Sequence, residues 1–104
     1  MLGLLLFIVP ISSLAQTQAE LFKSAIELYR QKEYQRAIDA FTKVLIITPD
    51  HLESLRLRGS IYMQLNKPEP AIKDFEKAVL IAPETDGVFS DLGTAWYYNK
   101  NFDN

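Results

Sequence analysis

Ala37-Ile38-Asp39-Ala40-Phe41-Thr42-Lys43-Val44-Leu45-Ile46-Ile47-Thr48-Pro49 returns 34 residues later as Ala71-Ile72-Lys73-Asp74-Phe75-Glu76-Lys77-Ala78-Val79-Leu80-Ile81-Ala82-Pro83. Ala37, Ile38, Phe41, Lys43, Ile47 and Pro49 recur unchanged as Ala71, Ile72, Phe75, Lys77, Ile81 and Pro83, six identities within thirteen aligned positions. A fixed offset of this size marks a chain assembled from stacked supersecondary units. Upstream, the offset relates Leu21, Leu55 and Phe89; Ala25, Gly59 and Gly93; and Leu28, Tyr62 and Trp96. A third copy therefore begins, and the position matching Ala37 and Ala71 would fall after Asn104. The reading is about two and a half repeats, and the mid-motif stop suggests a fragment of a longer repeat protein.

Each unit reads as two helices. In the second, Leu55, Gly59, Tyr62 and Leu65 recur every three or four residues, and Ala71, Phe75, Ala78 and Val79 do so after a break. Pro68 and Pro70 suit the first turn of a helix, where a missing N–H costs nothing. Pro49 and Pro83 close the second helix of each pair, and Asp50 and Thr85-Asp86 offer caps for the helices that follow. The pattern predicts helices over about 18–31, 34–47, 52–65, 69–81 and 87–99. Ala25, Gly59, Gly93, Ala37, Ala71 and Ala78 permit close backbone approach, while Phe41, Phe75, Tyr62 and Trp96 fill the adjoining space. These are core residues, and no cofactor box is read into them.

The sequence of bulky, small, aromatic, Ala, aromatic, small and Pro is met in the second copy by Leu55, Gly59, Tyr62, Ala71, Phe75, Ala78 and Pro83. In this it resembles the tetratricopeptide repeat family over roughly Gln18 to Asn104. The resemblance implies an all-α helix-turn-helix solenoid, a right-handed superhelix, with repeats at 18–51 and 52–85 and the first helix of a third at 86–104. Three departures stand out: the usual Trp near the start of a unit is Leu21, Leu55 or Phe89; Arg58 stands where Leu is common; and Pro68 replaces the aromatic seen as Tyr34 and Phe102. These are expected to loosen local packing in the second unit without threatening the fold.

All charged residues lie from Glu20 onward. Leu2 to Val9 is an uninterrupted apolar run, Pro10 breaks it, and Ser13-Leu14-Ala15 supplies the small residues a signal peptidase accepts. The segment is too short to cross a bilayer as a helix. A leader over residues 1–15 is expected, with a weaker alternative cut after Ala19, although the usual basic start is missing. A buried first helix or an uncleaved anchor is the other reading. A leader would place the mature chain outside the cytoplasm, in a bacterial periplasm or envelope, or secreted.

Composition excludes more than it identifies. Lys+Arg 11 against Asp+Glu 13 gives a formal net charge of -2, without the basic excess of a nucleic-acid binder. Cysteine is absent, which removes disulfides, thiolate metal sites and a lipidated N-terminal Cys. His51, the single histidine, lies in a turn beside Asp50 and near Glu53 and is read as a solvated surface residue. One imidazole among exposed carboxylates does not make a zinc site. No phosphate-binding loop and no Ser–His–acid set are discernible. The chain is expected to be no enzyme and to need no cofactor or metal.

What remains is surface. The family likeness implies a concave face lined by the first helix of each unit, which binds a peptide or partner protein. By register that face takes Phe22, Ile26, Tyr29 and Arg30; then Arg56, Ser60, Met63 and Gln64; then Ser90, Thr94, Tyr97 and Tyr98. Aromatic, Met and Arg side chains suit such a role, though Ile26 and Met63 are equally read as packing on a neighbouring helix. A mixed peptide with apolar anchors is the implied ligand. The family's clamp for a C-terminal carboxylate uses Lys, Asn and Arg, where this chain has Phe22, Ile26, Leu57, Gly87 and Asp91. A chaperone-tail receptor is therefore disfavoured. Leu92 and Trp96 are expected to pack on a helix beginning near Phe102, or else to support self-association. The overall expectation is an exported interaction scaffold; the alternatives are a structural subunit assembling through its C-terminal flank, or an accessory region of a longer enzyme or sensor.

Overall fold

The structure, a computed structural model, describes residues 11–102. It consists of five helices in chain order: α1 (Ile11–Arg30), α2 (Tyr34–Ile47), α3 (Leu52–Gln64), α4 (Pro68–Ile81) and α5 (Val88–Phe102). Each packs on the next, and α3 also meets α5. That order of contact, with overall extents of 64 × 29 × 21 Å, is a stack of hairpins.

The turns repeat as faithfully as the helices. Lys32 (φ 61°) and Asn66 (φ 58°), 34 residues apart, both take the left-handed conformation that ends a first helix. In each case the next N–H reaches back five residues, Glu33 to the Leu28 carbonyl at 2.9 Å and Lys67 to the Tyr62 carbonyl at 2.8 Å. The opposite turns match too: Thr48 N–H bonds to Val44 and His51 N–H to Thr48, as Ala82 does to Ala78 and Thr85 to Ala82.

Two apolar clusters fill the interior. Ala25, Ala37, Ile38, Phe41 and Ile61 form the first, and Ala71, Phe75, Leu92 and Ala95 the second. Tyr62 packs against both and joins them. At Gly59 only a hydrogen fits, because a Cβ there would lie 2.6 Å from the Phe75 ring. Pro68 is buried at the first position of α4, so this departure fills space, contrary to the loosening expected of it.

Arg58 also departs from expectation. Its Nε and Nη2 donate to the two Asp74 carboxylate oxygens at 2.9 and 2.7 Å, and its Nη1 donates to the Thr42 hydroxyl at 2.9 Å. Thr42 in turn donates to the Ile38 carbonyl at 2.7 Å. One guanidinium thus ties α2, α3 and α4 together. The hydrogen bonds from Arg58 to Asp74 raise the Arg58 pKa above the ordinary guanidinium value, outweighing the burial that opposes its charge.

Several boundaries are corrected. Helix α1 begins at Ile11, well before the expected 18, so the proposed cleavage stretch Ser13-Leu14-Ala15 sits in helical backbone, with Thr17 Oγ1 donating to the Ser13 carbonyl at 2.8 Å. The apolar run Leu2–Val9, on which the leader reading mainly rests, lies outside the described residues. No helix among the described residues is long and apolar enough to cross a membrane. Helix α5 starts at Val88, and its first turn closes with Asp91 N–H donating to the Gly87 carbonyl at 2.8 Å. Gly87 (φ 89°) therefore occupies the capping position expected of Thr85-Asp86. Its left-handed backbone is what favours glycine here, and a Cβ would also displace the end of the Arg56 side chain, 2.6 Å away. Helix α5 also runs through Phe102, where its counterparts Tyr34 and Pro68 open a new helix. A Cβ on Gly93 would meet nothing within 4 Å, and Trp96 stays 52% exposed. Neither packs as expected, because no second helix lies over this side of α5 among the described residues.

His51, expected to be solvated, caps α3. Its Nδ1 accepts from the Ser54 backbone N–H at 3.3 Å and lies 2.8 Å from the Ser54 hydroxyl. Its ring meets Phe22 edge-on at 4.8 Å. Replacing His51 by Ala removes the cap acceptor and should cost about 1 kcal/mol, read as a melting temperature lower by roughly 4–8 °C.

Candidate functional site: a trough between the first helices

Helix α5 crosses beside α3 and leaves three hollows between them. The first, about 300 Å³, is lined by Glu53, Arg56, Leu57, Ser60 and Asp91. The second, about 220 Å³, shares Ser60 and Asp91 with it and adds Met63, Gln64, Phe75 and Thr94. The third, about 350 Å³, shares Met63, Gln64 and Thr94 with the second and adds Asn66, Pro68 and Tyr98. Shared walls make these one trough running from Glu53 to Tyr98.

The helical period builds it. Val88, Leu92 and Ala95 bury one side of α5, and Asp91, Thr94 and Tyr98 then fall on an adjoining side, facing Arg56, Ser60 and Met63. Across the upper end Arg56 Nε donates to Asp91 Oδ2 at 2.9 Å, both side chains about 30% exposed. This pair neutralises the charge of both side chains beside the first hollow. Below it the lining mixes hydroxyl and amide groups (Ser60, Gln64, Thr94) with apolar surface (Leu57, Met63, Tyr98). Such a surface offers packing contacts and neutral hydrogen-bonding groups rather than charge. Among the described residues no three His, Asp or Glu side chains gather to hold a metal ion.

The residues expected from register divide into three groups. Arg56, Ser60, Met63, Gln64, Thr94 and Tyr98 line the trough. Phe22, Ile26 and Tyr29 turn their apolar surface to the first core cluster, and Ile26 and Arg30 border a separate hollow on α1 with Lys23, Ser24 and Glu27. Ser90 and Tyr97 are exposed on α5 but line none of the three hollows. Glu53, Asn66, Pro68 and Phe75 also line the trough and were not expected there, while Leu57 and Asp91 had entered only as positions where the carboxylate clamp is missing. Opposite charges at Arg56 and Asp91 on neighbouring first helices were the available signal for Asp91. Leu92, 7% exposed, is already covered within the chain, so it cannot offer the free flank expected of it.

Stacked two-helix units with a trough along their first helices define a helical repeat solenoid. A family model described as "Tetratricopeptide repeat" matches residues 25–90, and the chain belongs to that family. The Sgt2 TPR domain from Aspergillus fumigatus superposes with a TM-score of 0.75 at 28% identity, over 84% of this chain and 58% of that one. The first TPR of Spaghetti, bound to the HSP90 peptide SRMEEVD, gives 0.76 at 25% identity over 85% and 70%. The heat-shock protein cognate co-chaperone sgt12 of Aspergillus fumigatus is 35% identical over 65 residues, which is 62% of this chain and 19% of that protein. The chain spans no more than about a fifth of the curated relatives it matches. The Aspergillus relatives overturn the expectation of an exported, periplasmic or envelope protein: they are a heat-shock co-chaperone and an Sgt2 domain, neither of them an envelope protein by name.

Proposed function

We propose that the chain is a non-enzymatic interaction module whose α3–α5 trough receives an extended segment of a partner protein. The observation that carries this reading is the continuity of the trough, with six family-register residues along one lining. A related domain held with an HSP90 peptide supports it. The preferred segment here differs in chemistry from that peptide. SRMEEVD carries two Glu, an Asp and a terminal carboxylate, whereas in this trough Arg56 is committed to Asp91 and Glu53 adds a further negative charge. Apolar anchors seated near Leu57 and Met63, flanked by neutral or basic residues, fit better.

Two measurements test this. Fluorescence anisotropy with labelled SRMEEVD should show no saturable binding below about 1 mM; low-micromolar binding would establish a chaperone-tail receptor instead. Peptides selected from a random display library on the intact chain should lose at least about tenfold in affinity on Met63→Arg or Thr94→Arg, roughly 1.4 kcal/mol. Tyr97→Ala, away from the trough, should leave them unchanged. Selected peptides indifferent to both trough variants would place binding elsewhere.

A further inference from the structure

The charge of the trough lies at one end. Glu53 stands in the first turn of α3 and Asp91 in the first turn of α5, and with Arg56 they line the first hollow. The second hollow has Asp91 alone among charged side chains, and the third has none. From Glu53 to Gln64 the α3 wall runs about 16 Å, the reach of roughly five residues of extended chain. Arg56 is held twice at the charged end. Its Nε donates to Asp91 Oδ2 at 2.9 Å, and its Nη2 lies against Gly87, where a Cβ would stand only 2.6 Å away. Both contacts come from the start of α5, where Gly87 accepts the Asp91 N–H at 2.8 Å and so fixes the two one turn apart. Glu53, three residues before Arg56 on its own helix, makes no ion pair with it among the described residues. The guanidinium pairs across the trough instead.

Resting on the trough as the binding site, we infer that Asp91 sets its charge selectivity. By holding Arg56 against α5 it cancels the one cation of the lining, and with Glu53 it leaves this end with two carboxylates to one guanidinium. A segment laid along α3 and α5 that brings a carboxylate here must either break the Arg56–Asp91 pair or face like charge, and such juxtapositions are how interfaces turn partners away. A Lys, Arg or neutral side chain meets neither penalty. The far end is indifferent to charge, because its lining carries none. The segment class is therefore about five residues long, free of Asp and Glu at the one end that lies beside Glu53 and Asp91. Arg56 and Asp91 are each about 30% exposed, so their pairing adds little to stability. Its removal changes the charge of the trough while Val88 and Leu92 keep α5 seated.

A random peptide display library, panned on the intact chain and sequenced, supplies the probes. Pools from the unaltered chain should be depleted of Asp and Glu, and pools from Asp91→Ala should regain them at one end of the bound segment. Adding Glu53→Gln should carry the trend further. Synthetic peptides from these pools, differing only in Glu or Gln at that position, should follow the same order. The unaltered chain should favour Gln at least about fivefold, and the Asp91→Ala, Glu53→Gln chain should favour Glu by as much. Adding Arg56→Gln to that pair should abolish the preference for Glu, because the freed guanidinium is its source, whereas Asp91→Glu alone should keep the unaltered preference. Equal loss of both peptides on Asp91→Ala, or an unchanged ratio between them, overturns the selectivity role of Asp91; if both still fail on Met63→Arg, the trough itself stands. Peptides indifferent to Met63→Arg overturn the trough and the selectivity together.

Discussion

Asp74→Ala should destabilise the chain by about 3 kcal/mol, the low end of the range for breaking a buried ion pair. Asp74 is 4% exposed, and its carboxylate takes both the 2.9 Å and the 2.7 Å bonds from Arg58. Without it the guanidinium remains wedged between α2, α3 and α4 with the Thr42 hydroxyl as its only acceptor among the described residues. The Arg58 side chain is 20% exposed, so water recovers part of the loss, which sets the value near the bottom of the range. Thermal and urea unfolding should both report it, with a melting temperature lower by at least about 12 °C. Combining Asp74→Ala with Arg58→Met should return most of the stability, because the stranded charge goes and the aliphatic volume stays. A single-variant loss below about 1 kcal/mol would show that the pair behaves as a surface ion pair and does not hold the hairpins together.

The second large effect is a pair of substitutions at one repeat position with opposite signs. Gly59→Leu should cost about 3 kcal/mol, at the upper end for overpacking a core. Even its Cβ would stand 2.6 Å from Phe75 Cε1 and 2.8 Å from Cζ, and Phe75, 2% exposed, has no solvent to retreat into. Gly93→Ala should instead stabilise by roughly 0.5–1 kcal/mol, the gain in helix propensity, since its Cβ meets nothing within 4 Å. Thermal or urea unfolding separates the two. If Gly93→Ala destabilised the monomer as Gly59→Leu does, a helix would have to cover α5 as α4 covers α3.

What each copy of the repeat does alone was legible from its residues. Alternation with the helical period placed α2 at Tyr34–Ile47, and placed α3 and α4 to within a residue. The 34-residue offset foretold hairpins of one design, and the structure repeats it down to the left-handed Lys32 and Asn66 turns. Half of the register-expected face also comes together in the trough, because positions 34 apart on like helices face the same way. These features are encoded in residues a few places apart, where chain geometry fixes the outcome.

Tertiary structure decided the rest. Arg58 and Asp74 are 16 residues apart and Arg56 and Asp91 are 35 apart, so neither pairing follows from any periodicity; both depend on how far one hairpin slides along the next. The same nesting turns Phe22 and Tyr29 into core, gives His51 a ring to lean on, and carries Tyr97 away from the trough. Gly59 and Gly93 share a register and a residue type, yet one is pressed against an aromatic ring and the other is open. Identity and period are properties of the chain, whereas burial belongs to whatever packs across it.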